Sequence, residues 1–285
     1  MSDAPKVFIV ILNWNGKERL LACLRSVFFL AYGNYEVVVV DNASRDGSLE
    51  EAKTLFSRAH FILNSDNLGF AAGMNIGIRF ALSRGAEYVW ILNNDAECRK
   101  DTLSTLVSVA LTYGPRALFS PRILNSDGSE WFSGGKVDYI RMRTAHVAAP
   151  EVRAGITSYQ TGYLTGCALF IPRQILEVTG LLDEEYFLYY EDADYSLRAK
   201  KNGFGLRVVP GAVVIHGEQS VGSKEKPYWL VRSGLRFFAA HTPPLLRPWI
   251  WVYVRLRRLK NVLDSLRGMK EAAPVSSAYA DFRAS

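Results

Sequence analysis

Cysteine is scarce: only Cys23, Cys98 and Cys167 occur in 285 residues. They are too few and too scattered for a disulfide framework or a zinc site, so a reducing, cytoplasmic compartment is expected. No signal peptide is expected either. Met1 to Lys6 runs into a short apolar stretch, Val7 to Leu12, with no basic region before it and no small-residue cleavage site after it. Long hydrophobic runs are also absent. The longest charge-free stretch, Ala154 to Pro172, carries Gly155, Thr157, Ser158, Gln160, Thr161 and further polar positions. Hydrocarbon accepts such groups only at a cost, so no transmembrane helix is expected. No internal repeat or low-complexity tract appears. What is present, 49% hydrophobic and 22% charged residues, suffices for a substantial core and excludes a disordered chain.

The net charge of +6 is confined to one place. Between Arg247 and Lys270 stand seven basic residues and one acid, Asp264, so this segment carries the whole excess and the rest of the chain is neutral. A basic face spread over the main body, as a nucleic-acid binder needs, is lacking, and that class is disfavoured. Within the segment Val252, Leu256, Leu259, Leu263 and Leu266 follow three- and four-residue steps, which predicts one apolar helical stripe. Arg255, Arg257, Arg258, Lys260 and Arg267 flank it, and Trp249, Trp251 and Tyr253 stand at its start. That pattern predicts docking on an anionic membrane surface; packing on the main body or on a second subunit of a homodimer is the alternative.

Val7 to Leu12, Glu36 to Val40, His60 to Leu63 and Tyr88 to Leu92 read as buried strands. The segments between them, Lys17 to Phe29, Ser48 to Arg58 and Ala71 to Arg84, have helical periodicity. This alternation predicts an α/β fold with a mostly parallel, Rossmann-like sheet flanked by helices, and ligands at the carboxyl ends of its strands. Further on, Leu118 to Ile123 and Leu164 to Ile171 are expected as strands and Arg173 to Thr179 and Asp192 to Lys201 as helices. Leu206 to His216 reads as a strand broken at Pro210-Gly211, and Tyr228 to His241 and Leu246 to Leu266 as a C-terminal helical extension.

No Gly-x-Gly-x-x-Gly turn follows the first strand, which carries Asn13-Trp14-Asn15-Gly16 instead, and there is no Walker lysine loop. Nicotinamide chemistry and common phosphoryl transfer are thereby disfavoured. Asp41 ends the second strand, where a carboxylate can meet a ribose hydroxyl or simply cap the following turn. The glycines of Gly69 to Gly77 suit close approach of a helix to a ligand or, more simply, to the sheet. Asn93-Asn94-Asp95 puts a carboxylate and two amides at a strand end, a setting for a hard divalent cation held partly by a diphosphate, or for an ordinary turn. The densest cluster is Tyr186 to Arg198, where an aromatic run delivers Glu191, Asp192 and Asp194. Acids favour a helix N-terminus, and Asp194 with Arg198 makes an i,i+4 pair. The aromatics, Tyr190 among them, add a sugar-stacking surface and a desolvated setting that raises an acid toward a general base's range. His216 ends a strand as a metal ligand or a structural imidazole.

Taken in order, these pieces resemble the inverting family 2 glycosyltransferases of the GT-A fold, and among them the rhamnosyltransferase-like and galactofuranosyltransferase-like branch. The matching segments are Ile11 to Gly16, Val40 to Ser48, Asn67 to Gly73, Leu92 to Asp95, Gly166 to Pro172, Tyr189 to Arg198 and Ile215-His216, spread over residues 6 to 220. The resemblance implies a nucleoside-diphosphate sugar donor, dTDP-rhamnose foremost, and a glycan or polyprenyl-linked acceptor in cell-surface polysaccharide synthesis. It implies that Asp41 reads the base or ribose, with Asn13, Asn15, Asn67, Gly69, Asn93 and Asn94 also on the donor side. Asp95 and His216 then hold Mg2+ or Mn2+, and Asp192 is the general base, with Glu191, Asp194 and Tyr190 as further candidates. Asn93 departs from the pattern: many members carry an acid there, and an amide leaves less charge to hold the metal. The implied layout is a catalytic domain over residues 1–226, divided into a nucleotide-sugar half (1–115) and an acceptor and base half (116–226). Basic amphipathic helices and a tail fill 227–285, peripheral on the inner face of the membrane. A non-catalytic sugar-nucleotide or glycan-binding module on the same scaffold is the competing reading. A nucleotidyltransferase would need a Gly-rich basic loop that Asn13 to Gly16 does not supply.

Overall fold

The structure, a computed structural model, describes residues 4–151, 155–217 and 225–284. Met1 to Asp3 and Ala154, used above against a leader and a membrane span, lie outside them. In the first half the elements are β1 (Val7–Asn13), α1 (Lys17–Val27), β2 (Tyr35–Asp41), α2 (Ser48–Leu55), β3 (His60–Leu63), α3 (Gly69–Ser83) and β4 (Tyr88–Asn93). Their bounds lie within a few residues of the expected ones. β1, β2 and β4 are unbroken apolar runs because both sheet faces are covered, and β3-β2-β1-β4 pair in parallel with Val10 beside Val38 and Ile91. The helix α3 sits very close to this sheet: a Cβ on Gly73 would come within 2.5 Å of Leu12 Cδ1, and one on Gly77 would strike Val10. These two glycines serve packing.

The chain continues through β5 (Ala96–Cys98), α4 (Thr102–Tyr113), β6 (Ala117–Asn125), β7 (Glu130–Phe132), β8 (Gly135–Asp138), β9 (Arg143–His146), β10 (Tyr159–Gln160) and β11 (Ala168–Pro172). It ends with α5 (Arg173–Thr179), α6 (Glu191–Lys201), β12 (Gly205–His216), α7 (Lys226–His241), α8 (Arg247–Leu266) and α9 (Ala272–Ala284). The main sheet runs β10-β12-β6-β11-β4-β1-β2-β3, so both halves of the chain share one sheet and one core. β11 is antiparallel to both β4 and β6, while β12 and β6 are parallel again.

Two expectations shift. The strand expected over Leu164 to Ile171 pairs with β4 only from Ala168, because the preceding turn is bound elsewhere: Leu164 N donates to Ser196 Oγ at 3.0 Å and Gly166 N to Asp192 Oδ2 at 2.9 Å. The Pro210-Gly211 break is a bulge within one strand, with the β12–β6 register shifting between Val209 and Val213. Helix α4 was not expected, since its serines, threonines and valines have weak helix propensity; burial of Leu103, Leu106, Val107 and Ala110 fixes it against the sheet. Helix α9 is small-residue rich and is pinned by Asn261 of α8, whose Nδ2 donates to Ala272 O at 3.1 Å and Ser276 Oγ at 2.8 Å. Among the described residues, no helix is long and apolar enough to cross a membrane.

Candidate functional site

The carboxyl ends of β1, β2 and β4 meet at one edge of the sheet, and their polar residues bond to one another. Asn13 Nδ2 donates to Asp41 Oδ1 and Ser48 Oγ, both at 2.8 Å, and Asn94 Nδ2 donates to Asn13 Oδ1 at 2.8 Å. Ser44 gives Asp41 two more bonds, from its N–H at 2.8 Å and its hydroxyl at 2.7 Å. Asn15 N–H donates to Ser44 Oγ at 2.9 Å and Asn15 Oδ1 accepts from Arg45 N at 2.8 Å. Asp41 is fully buried, and its carboxylate organises the turn. The turn needs such support, since Asn15 and Ala43 lie in the left-handed region at φ 47° and 58°. Asn67 Oδ1 accepts from Gly69 N at 3.0 Å and Asn42 Nδ2 at 3.1 Å. Gly69, at φ 81°, lies where a Cβ would strike the Phe187 carbonyl. Asn67 and Gly69 therefore join α3 to the loop before α6.

Beside this edge opens a cavity of about 960 Å³, lined by Asn93, Asp95, His216, Gly166, Tyr190, Glu191 and Asp192 among others. Of the residues the resemblance ties to the donor side, Asn93 faces it; Asn13, Asn15, Asp41, Asn67, Gly69 and Asn94 shape the loops behind. His216 at the end of β12 places Nε2 3.2 Å from Asp95 Oδ1 without hydrogen-bond alignment. Burial pushes the Asp95 carboxyl up, but the His216 imidazole and then Arg19 outweigh it and hold it below the usual carboxylate range. Asn93 Oδ1, Asp95 Oδ1 and His216 Nδ1 are buried with no hydrogen-bond partner among the described residues. Among those residues no group of three or more His, Cys, Asp or Glu could hold a metal. The Asp95–His216 pair thus fits a cation that takes its remaining ligands from phosphate oxygens and water, and does not fit one held by protein alone.

On the opposite wall, Tyr189 and Tyr190 are both in the left-handed region, at φ 68° and 69°, immediately before α6. That strained entry turns the first acids of the helix into the cavity. Tyr190 is held by Phe237 and Phe238 of α7, and a Cβ on Gly234 would lie 3.3 Å from its ring. Asp192 accepts from Gly166 N at 2.9 Å and from its neighbour Ala193 N at 2.7 Å. Burial raises its pKa, and these two bonds only partly oppose the rise. Glu191 is raised well above its ordinary value by burial and then by the Asp192 charge, and its Oε2 has no partner among the described residues. Asp194 differs from both. Although burial pushes its pKa up, His241 Nε2 and Arg198 Nε, each at 2.7 Å, bring it below the ordinary value. It clamps α7 onto α6 and does not line the cavity.

Several cavity residues escaped the sequence reading. Trp131 lies over the His216 ring at 4.4 Å, and His146 beside it exerts a charge effect on Asp192. Both come from β7 and β9, short strands between 130 and 146 without legible periodicity. Tyr253, Val254 and Arg257 of α8 and Tyr279 of α9 complete the wall. Only the presence of one of four histidines in an otherwise featureless stretch could have pointed to His146.

Comparison with known proteins bears on the family and the fold. Residues 8–177 match the family model "Glycosyl transferase family 2". The chain is 25% identical over 251 residues, 84% of its length and 82% of the relative's, to a dTDP-rhamnosyl transferase, RfbF, of Shigella flexneri. It is 24% identical over 229 residues, 73% and 75% of the two chains, to an N-acetylglucosaminyl-diphospho-decaprenol L-rhamnosyltransferase of Mycobacterium tuberculosis. In fold it is similar to GalNAc-T7, solved with UDP, GalNAc and Mn2+, with a TM-score of 0.66 at 18% identity, covering 89% of this chain and 55% of that one. A family match over more than half of the chain, on a GT-A sheet, identifies it as a glycosyltransferase: the chain belongs to glycosyl transferase family 2, alongside its rhamnosyltransferase-like members.

Proposed function

We propose that this enzyme moves a sugar from a nucleoside-diphosphate donor, dTDP-rhamnose foremost, to a hydroxyl of a glycan or lipid-linked glycan with inversion at the anomeric carbon. The observation that carries the reading is Asp192: a half-buried carboxylate, fixed by two backbone N–H groups, in the same cavity as Asp95 and His216. Asp192 accepts the proton of the acceptor hydroxyl as that oxygen bonds to the anomeric carbon and the bond from that carbon to the diphosphate oxygen breaks. The nucleoside diphosphate leaves from the opposite face, hence inversion. Gly166 N–H and Ala193 N–H keep the carboxylate oriented through the step, and the aromatic wall around Tyr190 excludes water.

A divalent cation held by Asp95 and His216 would supply charge stabilisation to the departing diphosphate; one imidazole ligand favours Mn2+ over Mg2+. Asp95, kept ionised by His216 and Arg19, is ready to bind such a cation. The dTDP-rhamnose reading draws on the names of the Shigella and Mycobacterium relatives, and the lipid-linked acceptor on the second of them.

The test is turnover of nucleotide sugars with a panel of acceptors, followed by NMR of the product's anomeric configuration. Transfer with inverted configuration, lost with chelator and restored by Mn2+, is expected. Retained configuration would remove the single-displacement reading. A chain that binds donors without consuming them would be a binding module.

A further inference from the structure

The apolar stripe of α8 is uncovered. Trp249, Val252, Leu256, Leu259, Leu263 and Leu266 succeed one another at three- and four-residue steps, and their exposure runs from 40% at Trp249 and Val252 to 81% at Leu266. The one residue of α8 that is buried is Asn261, turned inward to hold α9. Exposed Arg255, Lys260 and Arg267 flank the stripe, with Arg255 over the Trp251 ring. The opposite edge of the same helix belongs to the transfer cavity, through Tyr253, Val254 and Arg257. Two bonds tie it to the segment leading into β9: Trp249 Nε1 donates to Ile140 O at 2.9 Å, and Tyr253 OH to Arg141 O at 3.1 Å.

We propose that α8 lies in the interface of an anionic bilayer, with this stripe immersed, and that docking sets the mouth of the transfer cavity at the headgroup plane. Charge selects the occupant. Arg255, Lys260 and Arg267 beside the stripe are all basic, so pairing two copies along this face would bring like charges together, whereas anionic headgroups neutralise them. Aromatic rings at the start of the stripe and basic side chains beside it are what an interfacial helix uses. Because α8 is both membrane face and cavity wall, a lipid-linked acceptor would reach Asp192 from the bilayer side; that consequence rests on the proposed transfer reaction, while the docking does not.

The test is co-sedimentation of the full chain with phosphatidylglycerol-containing vesicles and with pure phosphatidylcholine vesicles, at low and high salt. Wild type is expected to bind the anionic vesicles in a salt-sensitive way. Leu256→Ser with Leu263→Ser should weaken partitioning by about tenfold or more, with nucleoside-diphosphate binding unchanged. A nitroxide at Leu263→Cys should sit deeper in the bilayer than one at Ser265→Cys. Failure of wild type to bind anionic vesicles at low salt, equal binding by the double variant, or equal label depth would overturn the proposal. A dimer that the double variant breaks, without vesicle binding, would assign the stripe to a second copy and overturn it too. Turnover with a soluble acceptor in the absence of vesicles separates this outcome from failure of the transfer reading.

Discussion

Asp41 and Asp192 are both acids that the sequence singles out as site candidates, and the structure surrounds them in opposite ways. At the strand edge, Asp41 is sealed by Asn13 and Ser44 and the neighbouring amides bond among themselves. At the cavity wall, Asp192 has two backbone donors, while nearby Glu191, Asn93, Asp95 and His216 each keep a buried polar atom without a hydrogen-bond partner among the described residues. An unsatisfied buried group costs about 1–3 kcal/mol unless water or a ligand meets it, and four such groups converge on this cavity. The satisfied edge holds its own loops in place, and the unsatisfied wall is where the reaction is proposed to occur.

The largest effects are expected at the wall. Asp192→Asn should lower kcat by about 10²- to 10⁴-fold, as loss of a general base does, while leaving donor affinity and melting temperature nearly unchanged. Asp95→Ala should reduce turnover on the order of 10²-fold and weaken Mn2+ dependence, and His216→Ala should act in the same direction. Metal titrations of donor turnover check both.

Substitutions in the scaffold should move stability instead. Asp194→Asn breaks a buried pair with Arg198 and His241 and should cost about 3 kcal/mol in denaturant unfolding, with activity per folded molecule preserved. The smallest effect is on pH dependence. Asp194 has a lowered pKa, so its contribution is present above the ordinary carboxylate range and is lost as pH falls through the depressed value. Asp192 has a raised pKa, so its contribution is present below that range and is lost as pH rises through the elevated value. Melting curves of Asp194→Asn should therefore show a shallower acid-side decline, since Glu36, Asp46, Asp95 and Glu184 keep lowered values, and those of Asp192→Asn should improve slightly toward neutral pH. The acid limb of the transfer rate should lie above the pKa of an ordinary aspartate.

Much of this division could be read in the chain, and its limits have physical causes. Buried parallel strands write themselves as continuous apolar runs, which is why β1, β2 and β4 were legible almost to the residue; β3, expected as buried, is the edge strand, with no buried residue and Leu63 exposed, because one side of it has no neighbour. The strand-end motifs were legible as positions but not as roles: Asn13, Asp41, Asn67 and Gly69 look the same whether they bind a ligand or one another. Partners distant in sequence decide that, such as Phe187 against Gly69 and His241 against Asp194. Trp131 and His146 were illegible because short strands carry too few residues for a period. The stripe of α8 was readable from spacing alone, whereas the placement of its other edge in the cavity required the tertiary structure.

The most direct test of the central claim compares Asp192→Asn with Asp41→Asn, measuring transfer rate per folded molecule alongside unfolding free energy. Asp192→Asn is expected to lose transfer by at least about 10²-fold at near wild-type stability. Asp41→Asn is expected to lose about 1–3 kcal/mol of stability while its folded fraction still transfers sugar. Near-normal transfer by Asp192→Asn at saturating acceptor, or a well-folded Asp41→Asn that is inactive, would contradict that claim.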